Sequence, residues 1–214
     1  MFADRTDAGR RLAAKLVGLG VVDRAAADVV VLALPRGGVP VGAEVARAVG
    51  CPLDVLLVRK LGAPSQPELA MGAIGEQGVR IVNEAIMRAL RVSEDDLRSV
   101  EERERAELAR RAGIFRRGRA PVPVDGRLAI VVDDGIATGA TARAGCEAAR
   151  LLGAARVVLA VPVAASASID ELAAVAEVVC VEPRRDLYSV GESYRDFTQT
   201  TDDEVVALLD SSTG

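Results

Sequence analysis

The sequence predicts an α/β fold: an open, mainly parallel sheet with helices on both faces and a small carboxy-terminal hood. Three observations predict it. Short apolar runs without polar alternation occur at Val29-Val30-Val31-Leu32-Ala33-Leu34, Val55-Leu56-Leu57-Val58, Leu128-Ala129-Ile130-Val131-Val132 and residues 157–161. Strands of this kind are buried on both faces, as in a parallel sheet sandwiched between helices. Helix-period segments separate the runs, and glycine-containing loops follow the first and third, at the strand ends where open α/β sheets bind ligands.

Taken in order, Leu12, Leu16 and Leu19 recur at helical spacing between residues 7 and 20, with Gly18 and Gly20 ending the pattern. A helix over residues 41–49 joins the first two strands. Residues 59–77 are rich in Gly, Pro and polar side chains, and Val79-Arg80-Ile81-Val82-Asn83 has an edge-strand pattern, so 59–83 reads as a flexible loop and hairpin. Residues 84–119 form an inserted, charged helical segment. Ser93 and Asp96 make a capping box, and Glu94/Arg98, Glu101/Arg105 and Glu107/Arg111 stand at i,i+4 spacing.

The Arg110, Arg111, Arg116, Arg117 and Arg119 cluster reads as a solvated helix end whose cations complement the dipole; a subunit contact or an anion site is the alternative. A helix over 140–152 is closed by Gly153. Thr201, Asp202, Asp203 and Glu204 start a docking helix with Val205, Leu208 and Leu209 on one face. With no repeat or linker, residues 1–214 read as a single domain with a candidate hood at 182–200.

Composition excludes much chemistry. The 214 residues contain no histidine, which removes Ser-His-Asp triads and His-ligated zinc. The 27 basic and 31 acidic side chains give a net charge of −4, which offers no general attraction for nucleic acid or an anionic membrane. No apolar stretch approaches the about 18 residues of a membrane span. The three cysteines, Cys51, Cys146 and Cys180, form no CxxC pair and suit reduced, buried thiols. The expected location is the cytoplasm.

The third strand runs into Asp133-Asp134-Gly135-Ile136-Ala137-Thr138-Gly139-Ala140-Thr141, so the acids stand at a strand's carboxy end and the loop opens a helix. Unpaired N–H groups at a helix start, with the Thr138 and Thr141 hydroxyls, make a cradle for a phosphate dianion. Two carboxylates beside it repel a second phosphate but accept hydrogen bonds from the vicinal hydroxyls of a sugar. A ribose 5-phosphate fits both halves; the plain alternative is a strand-turn-helix with a solubilising acidic pair. Neither GxxxxGK[ST] nor a GxGxxG after the first strand is present. The first strand likewise leads into Pro35-Arg36-Gly37-Gly38, placing one cation and two backbone amides at the same sheet edge, and Arg59-Lys60 follows the second strand.

An apolar strand, two acidic residues and a Thr-Gly-x-Thr loop resemble the signature of the type I phosphoribosyltransferases. Nearly the whole chain is similar to a group of bacterial predicted phosphoribosyltransferases. The resemblance implies binding of 5-phosphoribosyl-1-pyrophosphate (PRPP), with Asp133 and Asp134 on the ribose hydroxyls and Ala137, Thr138, Gly139, Ala140 and Thr141 on the 5′-phosphate. It implies a pyrophosphate loop at Arg36, Gly37 and Gly38 with a cis peptide between Pro35 and Arg36. Arg59 and Lys60 would begin a catalytic loop, with Arg36 and Lys60 neutralising the leaving group. Mg²⁺ is expected through PRPP, near Asp133 and Asp134, with no permanent metal site.

Ala137 stands where hypoxanthine-guanine-type members commonly have Asp, which disfavours a 6-oxopurine acceptor. Residues 182–197 hold three of the chain's five aromatic rings, with Tyr188 the first choice for stacking on a base. Rings that merely pin the tail are the alternative. The function read from these residues is transfer of phosphoribosyl from PRPP to a small-molecule acceptor, expected to be a nitrogenous base. Neither nucleic acid nor membrane is a partner, and a homo-oligomer is allowed. A non-catalytic PRPP- or nucleotide-binding regulator is the second reading, and a hydrolase or phosphorylase of a phosphorylated sugar the third.

Overall fold

The computed structural model describes residues 1–22 and 28–212. Its elements are α1 (Arg5–Gly18), β1 (Val29–Ala33), α2 (Gly38–Val49), β2 (Leu53–Val55), β3 (Val58–Ala63), β4 (Gln66–Gly75), β5 (Arg80–Val82), α3 (Glu84–Leu90), α4 (Glu94–Arg116), β6 (Leu128–Val132), α5 (Ala140–Leu151), β7 (Arg156–Ala165), α6 (Ser166–Leu172), β8 (Glu177–Arg184), a 3-10 turn (Val190–Ser193) and α7 (Asp202–Ser211).

A five-stranded sheet in the order β2-β1-β6-β7-β8 forms the centre, and all its pairings are parallel. Alternation along β1 divides the core. Val29, Val31 and Ala33 pack with α1, α2 and α7, whereas Val30, Leu32 and Leu34 join the cluster formed by α5 and α6. Two buried faces explain why β1 and β6 carry no polar residue.

The apolar run over residues 55–58 is not one strand. β2 ends at Val55, Leu56 and Leu57 turn the chain, and Val58 begins an antiparallel sheet ordered β3-β4-β5. Much of the stretch whose composition suggested a flexible loop is therefore paired strand. Its glycines serve close approach: a Cβ on Gly72 would collide with the carbonyl oxygen of Ile81 on the neighbouring strand.

The 23-residue α4 has the expected capping box at Ser93 and Asp96. Arg105 and Arg111 pair with Glu101 and Glu107, but Arg98 reaches Asp95 rather than Glu94. The arginine cluster at its end departs from a solvated helix terminus. Arg116 is only 11 % exposed and binds both Asp54 and Glu76, while Arg117 and Arg119 pair with Asp203 and Asp210 of α7. The carboxy-terminal part is more regular than its sequence suggests, because β8 adds a fifth parallel strand at the sheet edge. α7 starts with a capping box at Thr201 and Glu204 and buries Val205, Val206 and Leu209.

Candidate functional site

Two loops meet at the carboxy ends of neighbouring parallel strands. Ala33 of β1 is in register with Val132 of β6, and the Leu34 N–H donates to the Val132 carbonyl at 2.8 Å. Past this point one chain runs through Pro35, Arg36 and Gly37 into α2, and the other through residues 133–139 into α5. Neither helix has a side-chain N-cap; α5 presents uncapped backbone amides at this edge, whereas the Gly38 and Val39 amides that open α2 donate to the Leu34 and Arg36 carbonyls. Gly139 caps α5 with φ 78°, a left-handed conformation that glycine adopts without strain.

The loops touch. A Cβ added to Gly37 would fall on the Asp134 carboxylate, and one on Gly38 would lie 2.6 Å from the Val132 oxygen. The Pro35–Arg36 peptide is cis, as expected from the resemblance. The 133–139 loop is braced from behind. Ile136 exchanges backbone hydrogen bonds with Val163 and Ala165 of β7, and the Ser168 hydroxyl donates to the Ala137 carbonyl at 2.7 Å.

Burial raises the Asp133 carboxyl well above the usual carboxylate range, and the adjacent Asp134 charge raises it further. Asp134 is also raised by burial, but Arg5 opposes the shift. The Arg5 Nε–H donates to Asp134 Oδ2 at 2.8 Å, and its Nη1 donates to the Thr198 carbonyl at 2.8 Å. Its guanidinium lies 4.0 Å from the Phe197 ring centroid. Nothing in the local sequence marked Arg5, which is 129 residues from its partner. The signal, visible only in the fold, was an arginine opening the first helix beside two adjacent acids.

The expected leaving-group cations carry internal partners. Arg36 pairs with Asp202 at 3.6 Å, Arg59 with Glu104 at 2.6 Å and Lys60 with Glu68 at 3.3 Å. Pro35, Arg59, Lys60 and Thr141 line one open cleft of about 660 Å³. α4 supplies a wall of this cleft through Val100, Arg103, Glu104, Leu108 and Arg111, a contribution absent from the sequence reading.

The hood aromatics have separate fates. Tyr194 is buried, stacks at 5.0 Å from Phe197 and 5.4 Å from Phe2, and donates its hydroxyl to the Asp134 carbonyl at 2.6 Å. Tyr188 is 87 % exposed and outside the cleft. Two of the three rings therefore pin the tail against the acidic loop.

The geometry agrees with the relatives. Residues 4–194 match the family described as the phosphoribosyl transferase domain. Two curated relatives from Mycobacterium tuberculosis, of strains CDC 1551 / Oshkosh and ATCC 25618 / H37Rv, carry names that call them candidate phosphoribosyl transferases. Each is 54 % identical over 211 residues, covering 98 % of this chain and 46 % of the relative. The chain thus spans about half the length of the curated relatives it matches. The crystal structure of TT1426 from Thermus thermophilus superposes with a TM-score of 0.90 at 42 % identity, over 100 % of both chains. With the match running over nearly the whole chain and a relative 54 % identical over 98 % of it, this protein belongs to the phosphoribosyl transferase domain family.

Proposed function

We propose that the chain transfers the phosphoribosyl group of PRPP to a small nitrogenous acceptor and releases pyrophosphate. The observation that carries this reading is the meeting of the uncapped α5 start, the loop through Arg36 and Gly37 and two adjacent carboxylates at the ends of β1 and β6. The amides of residues 138–141 and the hydroxyls of Thr138 and Thr141 hold the 5′-phosphate, and Asp133 and Asp134 accept hydrogen bonds from the ribose hydroxyls. Arg36, with the Gly37 amide, receives the pyrophosphate. As the bond from C1 to the pyrophosphate oxygen breaks, negative charge grows on the leaving oxygens and Arg36 and Lys60 stabilise it. The acceptor nitrogen forms the new bond to C1.

The acids fit a divalent cation shared with PRPP. Arg5 is their one ion-pair partner among the described residues, which leaves excess negative charge at the pair. Mg²⁺ bound with PRPP would supply Lewis-acid neutralisation of pyrophosphate oxygens. Among the described residues no helix is long and apolar enough to cross a membrane. The buried thiols of Cys51, Cys146 and Cys180, pushed up by desolvation to about 11, 12 and 11, suit the reducing cytoplasm inferred for this protein.

One observation favours a second reading. Arg36, Arg59 and Lys60 each stand within 4 Å of a carboxylate of the chain, Arg59 most closely, as suits a PRPP- or nucleotide-binding regulator without transfer. Calorimetric titration with PRPP and Mg²⁺ tests the site itself. Binding by the wild type that vanishes in Asp133→Asn/Asp134→Asn supports it; a folded wild type that binds no PRPP removes the transferase reading. Screening bases for pyrophosphate release then separates transferase from regulator.

A further inference from the structure

A second cavity, of about 790 Å³, opens at the opposite end of the sheet. It lies where α2 hands over to β2 and beside Arg127, which precedes β6, so it faces the amino ends of strands whose carboxy ends carry the phosphoribosyl site. Leu53, Phe115 and Leu208 give it an apolar wall, and three arginines stand around it: Arg47, paired with Glu44, Arg119, paired with Asp210, and Arg127. Its one lining carboxylate, Asp54, is already engaged by both Arg116 and the Val122 N–H. Arg127 is half-buried, and its guanidinium has no ion pair or hydrogen bond among the described residues. In a chain whose arginines are mostly matched to acids, a half-buried, unmatched guanidinium in a roomy cavity marks a place for an anion. The volume is within the range of small-ligand sites, and the apolar wall suits a ligand with more than a bare phosphate.

Three elements connect this cavity to the other end of the sheet. α2 carries Ala46 and Arg47 at the cavity and Gly38 at the pyrophosphate loop. α7 carries Leu208 at the cavity and, at its first residue, Asp202 on Arg36. α4 carries Phe115 at the cavity and Glu104 on Arg59. A ligand that moves the cavity ends of α4 and α7 would therefore displace the carboxylates paired with Arg36 and Arg59.

We propose that this cavity is a regulatory site for a phosphate-bearing metabolite of nucleoside monophosphate size, coupled through α2, α4 and α7 to the PRPP site. Binding stands apart from the proposed transfer; the coupling rests on it. The test titrates wild type, Arg127→Glu and Asp133→Asn/Asp134→Asn with AMP and with inorganic phosphate. AMP should bind the aspartate variant as it binds wild type, and Arg127→Glu should weaken it by about tenfold or more, the scale of one charge-assisted hydrogen bond. Should Arg127→Glu lower the thermal midpoint, Arg47→Glu, at a position 62 % exposed, gives the same readout.

AMP binding that is lost in the aspartate variant and untouched by Arg127→Glu belongs to the other site and overturns the proposal, as does failure of AMP to bind wild type. Saturating AMP should shift PRPP affinity of wild type by about fivefold, a typical coupling, and not that of Arg127→Glu. An unchanged PRPP affinity removes the coupling. A wild type that binds AMP in this way but never PRPP upholds the cavity and removes the transferase reading.

Discussion

Arg5 Nε lies 2.8 Å from Asp134 Oδ2, joining the first turn of α1 to the acidic loop after β6. Both side chains are largely buried, at 11 % and 15 % exposure, and Arg5 also holds the hood through Thr198 and Phe197. One guanidinium thus fixes the amino terminus, the tail and one ribose-binding candidate at once. Arg5→Ala leaves a buried carboxylate unpaired and should destabilise the fold by about 3 kcal/mol. PRPP affinity should fall by about tenfold as Asp134 loses its orientation. Arg5→Lys should recover part of the stability and less of the affinity, since an ammonium lacks the planar contact with Phe197. Denaturant melts and calorimetry on the two variants check this; wild-type affinity in Arg5→Ala would show that Asp134 needs no such support.

Asp133 makes the opposite prediction for stability. Its carboxyl is raised by burial and by Asp134, so between the usual 3.8 and the raised native value the folded state holds more protons than the unfolded chain. Stability attributable to this group therefore falls as pH rises through that window. At neutral pH Asp133→Asn should stabilise the ligand-free protein, on the order of 1 kcal/mol, and the gain should disappear below the ordinary carboxylate range. The same variant should lose PRPP binding. Melting wild type and variant from pH 3 to 8 tests the sign: curves that stay parallel would mean that the carboxylate is not strained by its site.

These two residues show what local pattern conveys. Asp133 stood out because five apolar residues lead to it and a glycine loop leaves it, a signal contained in a dozen neighbouring positions. The β1 and β6 strands were legible for the same reason, since burial on both faces leaves unbroken apolar runs. Arg5 was invisible because its partners lie 129 and 193 residues away. Glu104 looked like one more acid on a charged helix until the fold set α4 against β3 and Arg59. β8 escaped because its edge position permits Glu177 and Glu182 among apolar residues, which breaks the buried-strand pattern. The rings of the hood were conspicuous by composition, but only packing decides that Tyr194 turns inward while Tyr188 faces solvent.

Arg116 separates structural from surface arginines. It bridges Asp54 and Glu76, each partner at least four-fifths buried, and also donates to the Val55 carbonyl. Arg116→Met strands two carboxylates in the interface between α4 and the strands, and should cost about 3–5 kcal/mol. Arg117→Ala, one residue on, removes a long contact at 3.6 Å between exposed groups and should leave the melt unchanged. Equal effects of the two substitutions would return the cluster to a generic charged helix end.

Lys60 and Glu68 provide the sharpest division between transfer and mere binding. Their 3.3 Å pair ties a cleft cation to a fully exposed carboxylate in the first, turn-side residues of β4, so water screens it and the pair holds little. Glu68→Ala should therefore leave the melting temperature where it is. Lys60→Ala removes a positive charge whose value rises only as pyrophosphate departs, and interactions that strengthen in the transition state appear in turnover more than in binding. PRPP affinity should change by less than about fivefold, while pyrophosphate release, followed with a mixture of free bases, should fall by about a hundredfold, the scale of losing one preorganised donor to developing charge. If both quantities fall together, Lys60 serves ground-state binding alone. If wild type itself binds PRPP and releases no pyrophosphate with any base, the paired cations of the cleft are those of a regulator.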